Sequence, residues 1–186
     1  MKKKILVIFL VLIVILVSIK VIVWGKRKYE LRQRTSNIEM IKLAEKSVKV
    51  QVTPEFDFSY EYMQIGVLQH LDRPYTYDVI PQKLLDGLLF QGIHRPPIGT
   101  IIKIDLLKPA KIYFFFHSEV DGGYSDIFSN LDNWELSQEA PQYDILNGSH
   151  GLEMTMYELD AEAGIYSIPP TTKDRGCFNI VFQAIK

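Results

Sequence analysis

Apolar and polar positions divide the chain into three parts. From Ile5 to Ile19 the sequence reads ILVIFLVLIVILVSI, with Ser18 its one polar residue. Lys20 interrupts, Val21-Ile22-Val23-Trp24 resumes, and the basic run Gly25-Lys26-Arg27-Lys28 closes it. A helix needs about 20 residues to cross a hydrocarbon core of about 30 Å, and Ile5 to Trp24 has that length. Lys20 falls near the far end, within snorkelling reach of the headgroups, and Trp24 falls where an indole favours the interface. The pattern predicts a membrane anchor with basic flanks over residues 1–28, crossing through residues 5–24. The rival is a signal peptide that is cut off to leave a secreted protein, because Lys2–Lys4 and the apolar run suit one. Its cleavage site is poor. Leu16 and Ser18 are the nearest pair after the first run, and Val23 and Gly25 lie beyond a lysine and directly before the basic cluster.

Residues 29–46 are polar and free of Pro and Gly, with Ile38, Ile41 and Ala44 at helical spacing, which predicts a juxtamembrane helix or stalk. After Ser47 the pattern changes to short runs rich in β-branched and aromatic residues. Val48-Lys49-Val50-Gln51-Val52 alternates as a half-buried strand does. Further runs follow at Tyr60–Val67, Tyr75–Ile80, Leu88–Gly92, Thr100–Leu107, Lys111–His117, Asn133–Leu136, Leu152–Leu159, Gly164–Ile168 and Phe178–Ile185, punctuated by Pro and Gly. Many short strands with little helical periodicity predict an all-β chain: one antiparallel β-sandwich or jelly-roll-like domain over residues 47–186, behind the N-terminal transmembrane helix. Ile112-Tyr113-Phe114-Phe115-Phe116 is apolar at every position, so it is expected to be a central strand covered on both faces, or covered on one and contacting a partner on the other. Ile101 to Leu106 alternates, which predicts a neighbouring strand with one wet face. Lys108-Pro109-Ala110 is short enough for a hairpin-like connection between the two.

Charge sharpens the division. The chain has 21 Lys+Arg and 22 Asp+Glu. Residues 1–34 hold nine bases and one acid, and residues 35–186 hold twelve bases and twenty-one acids, so a basic start precedes an acidic domain. An acidic domain has no basic stripe to lay over phosphates, which argues against a nucleic-acid partner. The bases before and after the apolar run nearly balance, so the positive-inside rule does not orient it. Asn147-Gly148-Ser149 is an acceptable N-glycosylation triplet and favours an extracellular or luminal domain on a single-pass membrane protein. Cys177 is the one cysteine, which excludes an internal disulfide framework and an all-cysteine metal site.

Candidate chemistry is sparse. The densest polar stretch is His117-Ser118-Glu119-Val120-Asp121-Gly122-Gly123-Tyr124-Ser125-Asp126. Oxygen ligands on a Gly-containing loop suit a hard cation such as Ca²⁺, with Asp121 and Asp126 as the candidate metal ligands, although the spacing is not that of an EF-hand. A plain turn built by Asp and Gly is the simpler reading of this stretch, so no cofactor is expected. The four histidines (His70, His94, His117, His150) are spread one per segment, with no pair placed on one helical face to bind Zn²⁺. Cys177 precedes an apolar strand, where a thiol is most simply core. No nucleophile elbow, Walker A loop or G-x-G-x-x-G is present. Tyr124, Trp134 and Tyr143 fall in polar segments after the central strand. They are the rings expected to be exposed for ligand binding, where a flat face stacks on a sugar or anchors a protein.

The run from Leu71 to Glu135 carries Asp72-Arg73, Tyr75, Pro81, Leu85-Asp86-Gly87, Pro109-Ala110 with Tyr113, and Trp134. This spacing resembles a β-sandwich domain found in secreted carbohydrate-active proteins, and departs from it at Phe114–Phe116 and Asp121-Gly122-Gly123. The resemblance implies an accessory, non-catalytic module and leaves the ligand open. The expected function is a membrane-anchored module that binds a glycan or protein partner. The alternative is a membrane-tethered hydrolase or metal-dependent enzyme using the 117–126 loop, for which His117, Asp121, Asp126 and a second histidine must converge.

Overall fold

The computed structural model describes residues 38–145, 149–171, 173–174 and 176–184. The anchor expected through residues 5–24, most of the expected stalk, and Asn147 lie outside these residues. Among the described residues no helix is long and apolar enough to cross a membrane.

A helix, α1, covers residues 38–45. The strands β1 to β6 follow at Val48–Thr53, Ser59–Tyr62, Leu68–His70, Arg73–Val79, Leu88–Gln91 and Ile101–Leu106. Then come β7 (Ala110–His117), a short helix α2 (Tyr124–Phe128), β8 (Glu135–Leu136), β9 (Gln142–Ile145), β10 (Ser149–Ala161), β11 (Gly164–Ile168) and β12 (Asn179–Ala184). The described ladders are all antiparallel. A small sheet runs β1-β6-β11, and a long one runs β2-β5-β12-β7-β10-β9-β4-β3, with β8 attached to β10.

The long sheet curls because of β10. Met154–Ala161 pairs with β7, whereas the N-terminal part of the strand pairs with β9. Between Ser149 and Leu152 the register shifts, and Gly151 sits there at φ +64°. An irregularity of this kind bends a strand and increases its twist. Beyond it, β9, β4 and β3 turn back over one face of the same sheet.

The central strands are therefore buried twice. On one face Ile112, Phe114 and Phe116 of β7 pack with Phe90, Ile180 and Phe182 against Val50, Val52, Ile102 and Ile104 of the small sheet. On the other, Tyr113 and Phe115 pack with Leu89 and Val181 against Tyr77 and Tyr143. The double coverage expected of Ile112–Phe116 is what the strand has. The β-sandwich-like domain is thus extended by a third, curled-over layer.

Three expectations change. β6 does have the alternating burial expected, but it pairs with β1 and β11, whereas β7 pairs with β12 and β10. Residues 107–109 therefore cross from one sheet to the other and do not close a hairpin. In α1 the buried residues are Met40 and Ala44, one turn apart, while Ile38 and Ile41 are exposed, so the core reaches back to Met40. The stretch after His117 forms α2, whose Tyr124 and Phe128 enter the core beside Phe114.

Tyr77 is fully buried and its hydroxyl has no hydrogen-bond partner among the described residues; burial pushes its phenol well above the usual range. An unsatisfied buried hydroxyl costs about 1–3 kcal/mol. Tyr77→Phe is therefore expected to leave stability unchanged or raise it by up to about that amount. Chemical denaturation checks this, and a loss above about 1 kcal/mol would show that the hydroxyl is bonded.

Candidate functional site

One end of the long sheet gathers polar side chains that the sequence scatters. β7 ends at His117, and β12 begins at Asn179 opposite Phe115. Continuing that antiparallel register by two residues puts Cys177 across from His117. β5, on the other side of β12, pairs Phe90 with Ile180 and leads into the segment that carries His94. β3 brings His70 over the same end. Side chains hold it there: Asn179 Nδ2 donates to the Gln69 carbonyl at 2.7 Å, and Gln91 Nε2 donates to the Leu68 carbonyl. The Leu71 amide donates to the Gly92 carbonyl at 3.0 Å. The His94 amide donates to Asp72 Oδ1 at 2.7 Å, which fixes the outer loop.

The result is a cluster. His70, His117 and Cys177 each place a ligand atom within 4.8 Å of the others, and all three residues are buried. The His94 ring lies 5.2 Å from that of His70 and 5.8 Å from that of His117. Tyr143 stacks on His117 at 4.0 Å with only 10° between the planes, and Tyr75 stands 5.1 Å from His94. Gln69 Oε1 lies 3.0 Å from His117 Nε2. Because that oxygen only accepts, His117 carries its proton on Nε2 and its lone pair on Nδ1. Among the described residues neither ring nitrogen of the fully buried His70 has a hydrogen-bond partner, and neither does His94 Nδ1.

Burial sets the charge state. It lowers His70 well below the usual imidazole range, with the neighbouring His117 and His94 adding to the effect. It takes His117 down to about 3, with His94 contributing, and it lowers His94, helped by Arg95 and Arg73. Burial also pushes the Cys177 thiol up to about 11. Near neutral pH the cluster presents uncharged imidazoles and a protonated thiol. That is a poor nucleophile but a good set of nitrogen and sulfur donors.

The residues singled out from sequence are placed otherwise. Asp121 Oδ1 accepts the Gly123 amide at 2.7 Å. Burial raises the Asp121 carboxyl, but the Gly123 amide, Ser125 and Lys173 outweigh it and hold the group below its ordinary value. Asp126 is exposed and pairs with Lys173 at 2.9 Å. Neither acid belongs to the group that gathers around His117. Tyr124 and Tyr143 are buried, at 1% and 5% exposure, against the expectation that they are open rings. The polar segments around them conceal that Tyr124 starts α2 and that Tyr143 faces Phe115 and His117. Trp134 is half-buried, edge-on to Phe128 at 4.8 Å.

A groove of about 600 Å³ opens where the end of β4 meets residues 136–142 and the middle of β10. Gln138, Glu139, Gln142 and Glu153 supply polar walls, and Val79 and Met154 are among its apolar lining. Gln69, which bonds His117, also touches Met154 of the groove lining, with its Nε2 3.8 Å from the Met154 Sδ. A second cavity of about 600 Å³, beside Leu43, Leu106 and Phe182, is mostly apolar.

No family model and no curated protein matches the sequence. In structure the chain is similar to part of a β-glucuronidase from glycoside hydrolase family 2. The TM-score is 0.52 at 14% identity, over 74% of this chain and 14% of that one. It is also similar to part of a glycoside hydrolase family 138 enzyme targeting pectin rhamnogalacturonan II, with a TM-score of 0.49 at 16% identity, over 86% of this chain and 20% of that one. A part of the β-glucuronidase therefore carries this kind of fold. The resemblance read from residues 71–135 is therefore also present in three dimensions. At such identity the likeness is one of fold, and the chain spans a small share of each enzyme's length.

Proposed function

We propose that the protein is a non-catalytic β-sandwich-like module that acts by binding a glycan. In this reading residues 5–24 anchor it in a membrane, with the domain on the extracellular or luminal side. The groove between β4, residues 136–142 and β10 carries the proposal. Carboxylate and amide side chains there (Glu139, Glu153, Gln138, Gln142) are the groups that pair with the hydroxyls of a sugar. Val79 and Met154 offer the apolar surface that a sugar's C–H face prefers. The fold likeness to a β-glucuronidase favours a glycan over a protein as the ligand class.

The test uses the full chain in detergent on a glycan array, comparing the parent with a Gln142→Ala, Glu153→Ala double variant. Both side chains reach solvent, so folding should be retained. Binding is expected to weaken on the order of tenfold or more, about 1.4 kcal/mol. Undiminished binding by the folded variant would move the site elsewhere. A parent that binds no glycan but captures a protein from a cell-surface extract would replace the ligand class. The same array with and without added Ca²⁺ tests Asp121 and Asp126 as a cation site.

A further inference from the structure

We propose that His70, His117 and Cys177, completed by His94, bind a borderline-soft divalent transition-metal ion of the Zn²⁺ type. Three independent observations carry this. The first is the donor set: two imidazoles and a thiol with ligand atoms within 4.8 Å of one another, drawn from three different strand ends. A third imidazole has its ring within 6 Å of both the others. Nitrogen and sulfur without a carboxylate suit Zn²⁺, Co²⁺ or Cu²⁺ and not Ca²⁺ or Mg²⁺.

The second is His70 itself. Its ring is fully buried, and both nitrogens lack a partner among the described residues. Leaving such groups unsatisfied is costly, and native interiors seldom do so. A neutral imidazole has one lone-pair nitrogen and one N–H, and a metal bond uses that lone pair at once. His94 Nδ1, also unpartnered, offers the same chemistry from the outer side.

The third is the support around His117. Gln69 Oε1 receives the Nε2–H at 3.0 Å, while Tyr143 stacks on the ring. Metal-ligating histidines characteristically give their second nitrogen's proton to such an acceptor, which fixes tautomer and orientation. Gln69 is held in turn by Asn179 through its backbone carbonyl. Metal binding takes the Cys177 proton to solvent, and the thiolate then ligates. An ion here would add a cross-link between β3, the segment after β5, the end of β7 and the start of β12, beyond the β7–β12 ladder and the Leu71–Gly92 backbone bond that already join some of them.

The experiment uses the untagged full chain in detergent, stripped with chelator and titrated with Co²⁺ and then Zn²⁺. One equivalent of Co²⁺ is expected to give visible d–d bands and a near-ultraviolet thiolate-to-cobalt charge-transfer band, and Zn²⁺ is expected to bleach both. The chain has one cysteine, so the charge-transfer band identifies Cys177 even if a variant fails to fold. Cys177→Ser should abolish that band, and His70→Gln should weaken binding by about 100-fold or more, beyond what outer-sphere changes cost. A folded parent that gives no charge-transfer band overturns the proposal. So does unchanged affinity in folded Cys177→Ser and His70→Gln.

Discussion

Replacing Phe115 by Ala is expected to destabilise the domain by about 3–5 kcal/mol, and Phe114→Ala by a similar amount. The two rings project to opposite faces of β7, so the losses arise in different cores. Phe115 is fully buried against Tyr77, whose ring lies edge-on at 5.9 Å. Phe114 is fully buried on the other side, stacked 5.3 Å from Phe178 and tilted against Phe128 at 4.7 Å. Each truncation removes the transfer free energy of a large ring and leaves a cavity that rigid neighbours on adjoining strands cannot fill. A two-layer sandwich with one wet face would make one of the pair tolerant. Urea unfolding of the full chain separates the cases, and a cost below about 1 kcal/mol for either variant would contradict double coverage.

Gly122→Ala is expected to cost about 2–5 kcal/mol. Gly122 has φ +62°, and a Cβ there would stand 2.1 Å from the Gly176 Cα and 2.6 Å from its nitrogen. The left-handed conformation contributes about 1–2 kcal/mol for a residue with a side chain. Moving one backbone off another adds about 1–3 kcal/mol, as overpacking does. Gly99 is the control: its φ is +81°, but nothing lies within 4 Å of its would-be Cβ. Gly99→Ala should show the strain alone, about 1–2 kcal/mol. Equal losses at the two sites would mean that the turn does not press on Gly176. The close approach of the Asp121-Gly122-Gly123 backbone is thus to the chain's own Gly176, next to Cys177.

The sequence was most readable where burial is one-sided or total. Val48–Thr53 and Ile101–Leu106 alternate because one face of the small sheet is wet, and both appear as strands. Ile112–Phe116 is apolar throughout because it is covered twice. β3 and β9 gave too little pattern, being three and four residues long. β9 pairs with β10 at the irregularity near Gly151, a tertiary event with no local periodicity. Tyr124 was misleading for a related reason: five helical residues are too few to show a period, and the surrounding Ser and Asp suggested an open loop.

The His70–His94–His117–Cys177 cluster was the least readable feature. Its members lie tens of residues apart and meet only because antiparallel strands end at the same edge of the sheet. The available hint was that His117 closes the most apolar strand while Cys177 stands just before another, and neighbouring strands of that kind share an end. Reading it required knowing that β7 and β12 pair.

Hydrogen exchange on the full chain, with and without the glycan that binds most tightly on the array, tests the binding account most directly. The account predicts added protection confined to residues 136–142 and 153–156, the walls of the groove, with the small sheet unchanged. Protection centred on β1, β6 and β11, or no change at saturating glycan, would contradict it.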